Sequence, residues 1–166
     1  MVGLSNLNEA FYLIKTNFSD DEITGGKPID KHLIKEAENI LGVTLPNSYG
    51  KFIEEFGYGG ARSLLVSGIR CVSINELQST GFVWRTIKNR AEFSQPNNII
   101  TLDDIGDGSY YALDISQMNA EHECPVVIWP LNGYEDTPVL EIVAPDFGTW
   151  FLEQVREQIK RKQEKT

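Results

Sequence analysis

Residues 30–60, DKHLIKEAENILGVTLPNSYGKFIEEFGYGG, constrain the fold more than any other stretch. They read as two short helices joined by a tight, proline-marked turn, with a glycine exit into a strand. Leu33, Ala37, Ile40 and Leu41 recur at helical spacing and give the first helix one apolar face. Asp30 suits its N-cap, because a carboxylate there accepts from free first-turn amides and complements the helix dipole. Gly42 suits its C-cap, where the backbone turns left-handed. Leu45 and Pro46 mark the turn. Pro46 fits the start of the second helix, where a missing N–H costs nothing. Tyr49, Phe52, Ile53 and Phe56 form the apolar face of that helix, and Gly57, Gly59 and Gly60 end it. The glycine run leads from helix to strand, the reverse of a phosphate-binding glycine loop, so it reads as a turn.

The remaining segments build outward from this hairpin. Residues 6–18 read as a first helix, with Asn6 and Glu9 at capping-box spacing and Leu7, Ala10, Phe11 and Ile14 on one face. Residues 19–27 read as a polar loop. Gly26-Lys27-Pro28 lacks the Ser or Thr that follows the lysine of a phosphate loop. Residues 61–67 read as a short buried strand and 72–77 as a strand or a helical turn. Residues 81–90 read as a helix with Val83, Trp84 and Ile87 inward; its bases Arg85, Lys88 and Arg90 are expected to be solvated or paired with acids. Residues 99–103 and 109–114 are two β-prone runs around Ile105-Gly106-Asp107-Gly108, a hairpin signal. Residues 116–124 read as a polar loop, 125–129 as a central strand ending at Trp129, 133–138 as a turn and 139–143 as a last short strand. Residues 147–160 read as a final helix with Asp146 as N-cap and Phe151, Leu152, Val155 and Ile159 on one side.

The run EAENILGVTLPNSYGKFIEEFGYGG resembles the signature of the SUKH superfamily, which includes fungal cell-wall-assembly regulators and many bacterial immunity proteins. ITLDDIGDGSYYALDIS and ECPVVIWP look like that family's central hairpin and following strand. Leu45, Pro46, Tyr49, Gly59, Gly60, Gly108 and Trp129 are the structural residues of the resemblance. It implies an α+β fold: a twisted antiparallel sheet of about four to six strands, with helices from both chain ends packed against it. It also implies a cytoplasmic immunity protein whose partner is a cognate protein toxin, often a nuclease in this family.

At 166 residues the chain suits a single domain with a core at 30–159 and a basic tail at 160–166. No apolar run reaches the roughly 18 residues of a membrane span, and no signal peptide is expected. Cys71 and Cys124 stand far apart outside any C-x-x-C pattern and are expected to be buried, reduced thiols. The net charge is −9. Residues 160–166 contribute +3, leaving −12 elsewhere, and residues 91–155 hold twelve acids and neither Lys nor Arg. Such a surface repels nucleic acid and anionic lipid and attracts a basic partner, although acidic surfaces also serve solubility.

Nothing points to catalysis or to a cofactor. The only histidines are His32 and His122, and no nucleophile elbow is present. Asp103, Asp107 and Gly108 mimic a calcium loop, but Ile105 stands where a ligand belongs. Glu121, His122, Glu123 and Cys124 are adjacent and cannot all reach one ion. The expected partner-binding residues are Asp103, Asp104, Asp107, Glu135 and Asp136, at loops and turns where binding residues gather. Tyr58, Tyr110 and Tyr134 are candidate aromatic anchors, each equally suited to a core. The alternative to an immunity protein is a regulatory or scaffold module without a toxin partner, and a small-molecule pocket beneath the hairpin is a third reading.

Overall fold

The computed structural model describes residues 1–130 and 140–165. In chain order the elements are α1 (Val2–Asn17), β1 (Ile23–Gly25), α2 (Lys31–Leu41), α3 (Asn47–Phe56), β2 (Gly59–Ala61), α4 (Gly81–Phe93), β3 (Ile99–Asp104), β4 (Ser109–Asp114), β5 (Val126–Pro130), β6 (Ile142–Ala144) and α5 (Phe147–Glu164). Strands β3-β4-β5-β6 form an antiparallel sheet in that order, and β1-β2 form a separate antiparallel pair. The architecture is α+β, with helices packed on the sheet.

The helical hairpin forms as its sequence dictates. Asp30 accepts the His32 N–H at 2.8 Å, and Gly42 takes φ 70°. Leu33, Ala37 and Leu41 are buried, and Ile40 is half-buried against them. Helix α3 begins directly after Pro46 and drives Tyr49, Phe52, Ile53 and Phe56 into the core. Phe52 sits among Phe11, Tyr49, Phe56, Phe147 and Phe151, with ring centroids 5.0 to 6.5 Å away. Aromatic rings bury large areas at low rotamer cost, so this cluster joins α1, α3 and α5 more firmly than aliphatic contacts of equal number would.

Cross-strand partners share a sheet face. Ile100, Leu113 and Val126 are partners on the face of the main core, where Tyr111 also meets Trp150 of α5 with centroids 5.3 Å apart. Ile99, Ala112, Val127 and Trp129 form a second, smaller cluster with Leu140. A bulge between Thr101 and Asp103 resets the register, so that Asp103 faces Tyr111 and Asp104 faces Tyr110.

Helices α1 and α5 come from opposite ends of the chain and run parallel. Asn6 Nδ2 donates to Thr149 Oγ1 at 2.9 Å, Arg156 meets Glu9 at 2.7 Å, and Lys162 Nζ donates to the Asn17 carbonyl at 2.8 Å. At their starts the backbones touch: a Cβ on Gly148 would lie 1.8 Å from the Gly3 carbonyl oxygen.

Several expectations are corrected. Helix α1 begins at Val2 rather than residue 6, so Asn6 and Glu9 cap nothing and reach α5 instead. The capping box lies at Ser19 and Glu22, where it opens a 3-10 turn. Residues 19–27 are therefore not a plain loop: that turn leads into β1, which pairs with β2. The strand expected over 61–67 stops at Ala61, because Arg62 turns left-handed (φ 55°) and donates its N–H to the Glu22 carbonyl at 2.7 Å. Only Val66 returns, as a single bridge to Gly59. Of the two readings of residues 72–77 the helical turn is the one found, as 3-10 helix from Ile74 to Ser79, while another 3-10 turn, Ile115–Gln117, opens the loop expected at 116–124. In α4 the buried positions are Phe82, Val83, Thr86 and Asn89, so Trp84 and Ile87 are only half-buried. The final helix runs past residue 160, since α5 continues through Glu164 and Lys162 pairs with Glu22 at 2.6 Å. Tyr134, Glu135 and Asp136, with the turn expected at 133–138, lie outside the described residues. Cys71 and Cys124 are both free and buried.

Gly148→Ala forces α1 and α5 apart against rigid backbone, and should cost about 3 kcal/mol in urea denaturation. Gly42→Ala has open space around it and a left-handed backbone, so it should cost about 1 kcal/mol. Equal costs at the two sites would contradict the close approach of the two helices.

Candidate functional site

The hairpin of β3 and β4 carries three of the expected binding residues, and it treats them differently. Its tip, residues 105–108, uses Gly106 and Gly108 at φ 92° and 89°, which two flanking aspartates stabilise. Asp104 is exposed and accepts the Gly106 N–H at 2.7 Å. Asp107 is exposed and accepts both the Ser109 hydroxyl and the Ser109 N–H, the latter at 3.0 Å. The Ser109 hydroxyl is the main reason its carboxyl is held below the usual range. Asp103 is half-buried on the opposite pleat. Burial pushes it up to about 7; the Asp104 amide works against this by hydrogen bonding, and the Asp104 charge adds to it. Asp104 and Asp107 are therefore the outward pair, and Asp103 is an acid poised to titrate near neutrality.

Tyr110 lies behind this tip rather than on it. The ring is 5% exposed, opposite Asp104 on one side and Trp129 on the other. Its hydroxyl accepts from Arg85 Nη1 at 3.0 Å. The Arg85 guanidinium also lies over Trp84 at 5.0 Å and over Tyr110 at 5.6 Å, while Lys88 lies over Trp84 at 5.0 Å. Arg90 donates to the carbonyls of Leu41 and Asn97 at 3.0 and 2.9 Å, pinning α4 to the end of α2. Among the described residues none of these three bases pairs with a carboxylate.

The acid-rich window is not one surface. Asp114, Glu123 and Asp146 are buried and structural. Burial raises Asp114, but hydrogen bonds from Ser116, Gln117 and Asn98 outweigh it and hold the group below its ordinary value. Glu123 accepts the Ser48 N–H and the Ser48 hydroxyl, each at 2.8 Å, and burial raises its carboxyl despite both bonds. Asp146 caps α5 by accepting the Thr149 N–H at 2.7 Å, and Ser48 Oγ accepts the Gly148 N–H at 3.1 Å. The Asp146 cap was legible in the sequence, but its link through Ser48 to Glu123 was not. A serine one residue into a helix is a weak cap signal, and its partner Glu123 lies 75 residues on. The exposed acids of the window include Glu92, Asp104, Asp107, Glu121, Glu141 and Glu153.

The signature residues have structural roles. Leu45 is buried and donates its N–H to Glu38 at 2.8 Å. The Tyr49 hydroxyl donates to the Ser67 carbonyl at 2.7 Å. Gly59 and Gly60 form β2 so close to β1 that a Cβ on Gly59 would lie 2.3 Å from the Thr24 carbonyl oxygen. His32 and His122 are both exposed, and the His122 carbonyl accepts the Asn47 N–H at 2.9 Å. Among the described residues no group of three His, Cys, Asp or Glu side chains could hold a metal, and no helix is long and apolar enough to cross a membrane.

Asp103 ionises near 3.9 in an unfolded chain and at about 7 in the fold. Between those values the unfolded state releases its proton first, so this group's effect on stability worsens as pH rises from about 4 to about 7. Asp103→Asn should match the wild type in urea denaturation at about pH 4 and exceed it by on the order of 2 kcal/mol at about pH 7.5. A pH-independent difference would refute the assignment.

Residues 4–156 match the model of the SUKH_5 family, described as SMI1-KNR4 cell-wall. The match takes in the helical hairpin, both sheets and the first half of α5. The chain belongs to the SUKH superfamily.

Proposed function

We propose that this protein is a cytoplasmic bacterial immunity protein that binds and neutralises a cognate toxin of basic, nuclease-like character, and that it acts by binding rather than catalysis. The observation that carries this reading is the hairpin tip. It projects Asp104 and Asp107, neither of which pairs with a Lys or Arg among the described residues, from a segment of sequence that holds no base between 91 and 155. A nuclease must hold phosphate, and such domains are commonly basic. An acidic projection would occlude such a site and steer association electrostatically. Tyr134, Glu135 and Asp136, which follow β5 in the sequence, remain further candidates for the same contact. Tyr110 would act from beneath by holding the tip on α4.

A second reading, a regulatory or scaffold module, draws on the cell-wall description of the matched family. Capture of the tagged protein from its native cell separates the two. One basic partner that is toxic when expressed alone, and is rescued by this chain, supports the immunity reading; several non-toxic partners support the scaffold. Asp104→Lys with Asp107→Lys should leave the melting temperature nearly unchanged. It should weaken toxin binding about tenfold or more, mainly through a slower, less salt-sensitive association rate. Unchanged affinity would remove the hairpin tip from the interface.

A further inference from the structure

Four clefts among the described residues differ sharply in charge. One of about 670 Å³ mixes Lys31, Lys35 and Lys51 with Glu38 and Glu54. Another of about 610 Å³ mixes Lys15 and Lys27 with Asp20 and Glu55. A third of about 480 Å³ has Asp30 and neither Lys nor Arg. The fourth, about 390 Å³, lies between the start of α4 and the turn that follows β2, and contains two arginines and no carboxylate. Its working surface is Tyr58, Leu65, Arg70, Thr80, Trp84 and Arg85. In a chain of net charge −9 such a cleft is unusual. Lys31, Lys35, Lys51, Arg62, Arg156, Arg161 and Lys162 all sit in ion pairs.

Both arginines are held by rings. The Arg70 guanidinium lies 5.0 Å over Tyr58, and that of Arg85 lies 5.0 Å from Trp84. A ring beneath a guanidinium engages its charge without taking up its N–H donors, which stay available for an oxyanion. Arg70 makes no hydrogen bond or ion pair among the described residues, and Arg85 commits Nη1 to Tyr110. The Thr80 side chain makes no capping bond, so its hydroxyl is available as well. The floor is rigid backbone: the Phe82 N–H donates to the Gly68 carbonyl at 3.0 Å, and a Cβ on Gly81 would lie 2.2 Å from that same oxygen. Leu65, 52% exposed, joins Tyr58 and Trp84 as apolar wall.

The chemistry that fits is an oxyanion carried on a flat ring, at a size near the low end of small-ligand pockets. We propose that this cleft binds a small aromatic oxyanion of the mononucleotide class, with Arg70 and Arg85 on the phosphate and Tyr58, Leu65 and Trp84 against the ring. The cleft does not include the hairpin tip, although Arg85 joins the two through Tyr110, and nucleotide binding is tested without the toxin partner.

The full chain is titrated with AMP and with UMP, and with adenosine and inorganic phosphate for comparison, by calorimetry and by tryptophan fluorescence. Trp129 and Trp150 are 5% and 1% exposed, so a ligand-induced change reports chiefly on half-buried Trp84. At least one nucleotide should bind with a Kd of about 1 mM or tighter. Adenosine and phosphate alone should each bind at least about tenfold more weakly, since each satisfies one half of the cleft. Arg70→Ala should weaken nucleotide binding about tenfold with an unchanged melting temperature. Trp84→Phe should remove the optical signal and also weaken the binding that calorimetry records, since it shrinks the apolar wall. The proposal is overturned by no saturable binding of either nucleotide, by phosphate binding as tightly as nucleotide, or by an Arg70→Ala variant that binds like the wild type.

Discussion

The structure depends on a buried pair of carboxylates placed where three helices begin. Glu123 takes two hydrogen bonds from Ser48 at the start of α3, and Asp146 caps α5. A Cβ on Gly3, in the first turn of α1, would lie 3.0 Å from an oxygen of each. No cation meets them among the described residues. Helix N-termini supply the compensation instead, each worth roughly half a positive charge. They do so incompletely, which is why burial and the neighbouring Asp146 still raise Glu123. Buried charge without partners is expensive, so α1, α3 and α5 are held in one relative placement, with Ser48 as the hinge between Glu123 and Gly148.

That placement sets the rest. With their starts fused at Gly3 and Gly148, α1 and α5 run parallel and close the two ends of the chain over α3 and its aromatic cluster. The sheet lies against α5 through Tyr111 and Trp150. On its other side Tyr110 reaches Arg85 of α4. The β3–β4 hairpin therefore projects from a base fixed at both faces, and its two outward aspartates are stiffened by bonds to their own turn.

The charge pattern acquires its meaning only from this geometry. Among twelve acids in the window, Asp114, Glu123 and Asp146 serve caps and turns, Asp103 is half-buried, and Asp104 and Asp107 are presented outward. The bases divide in the same way. Seven of the fifteen sit in surface pairs worth little individually, whereas Arg70 and Arg85 lie over rings and, among the described residues, meet no carboxylate. A net charge describes neither group. It averages an outward acidic tip with an arginine cleft, although the two call for ligands of opposite sign.

Much of this was legible in the residues taken in order. The α2–α3 hairpin, the β3–β4 hairpin, the Asp146 cap and the apolar faces of the helices are local matters, decided by side-chain periodicity, backbone preference and turn chemistry within a few residues. The errors lie where distant segments compete for the same groups. Asn6 had the sequence of a cap but found Thr149, 143 residues away. Arg62 ended a strand by donating to Glu22, and Trp84 left the core to carry two cations. The sequence alone determined which segments become helix or hairpin and which acids could act. Tertiary structure decided which acids are buried at helix starts and which arginines share a cleft, because burial and charge compensation depend on neighbours that chain order does not bring together.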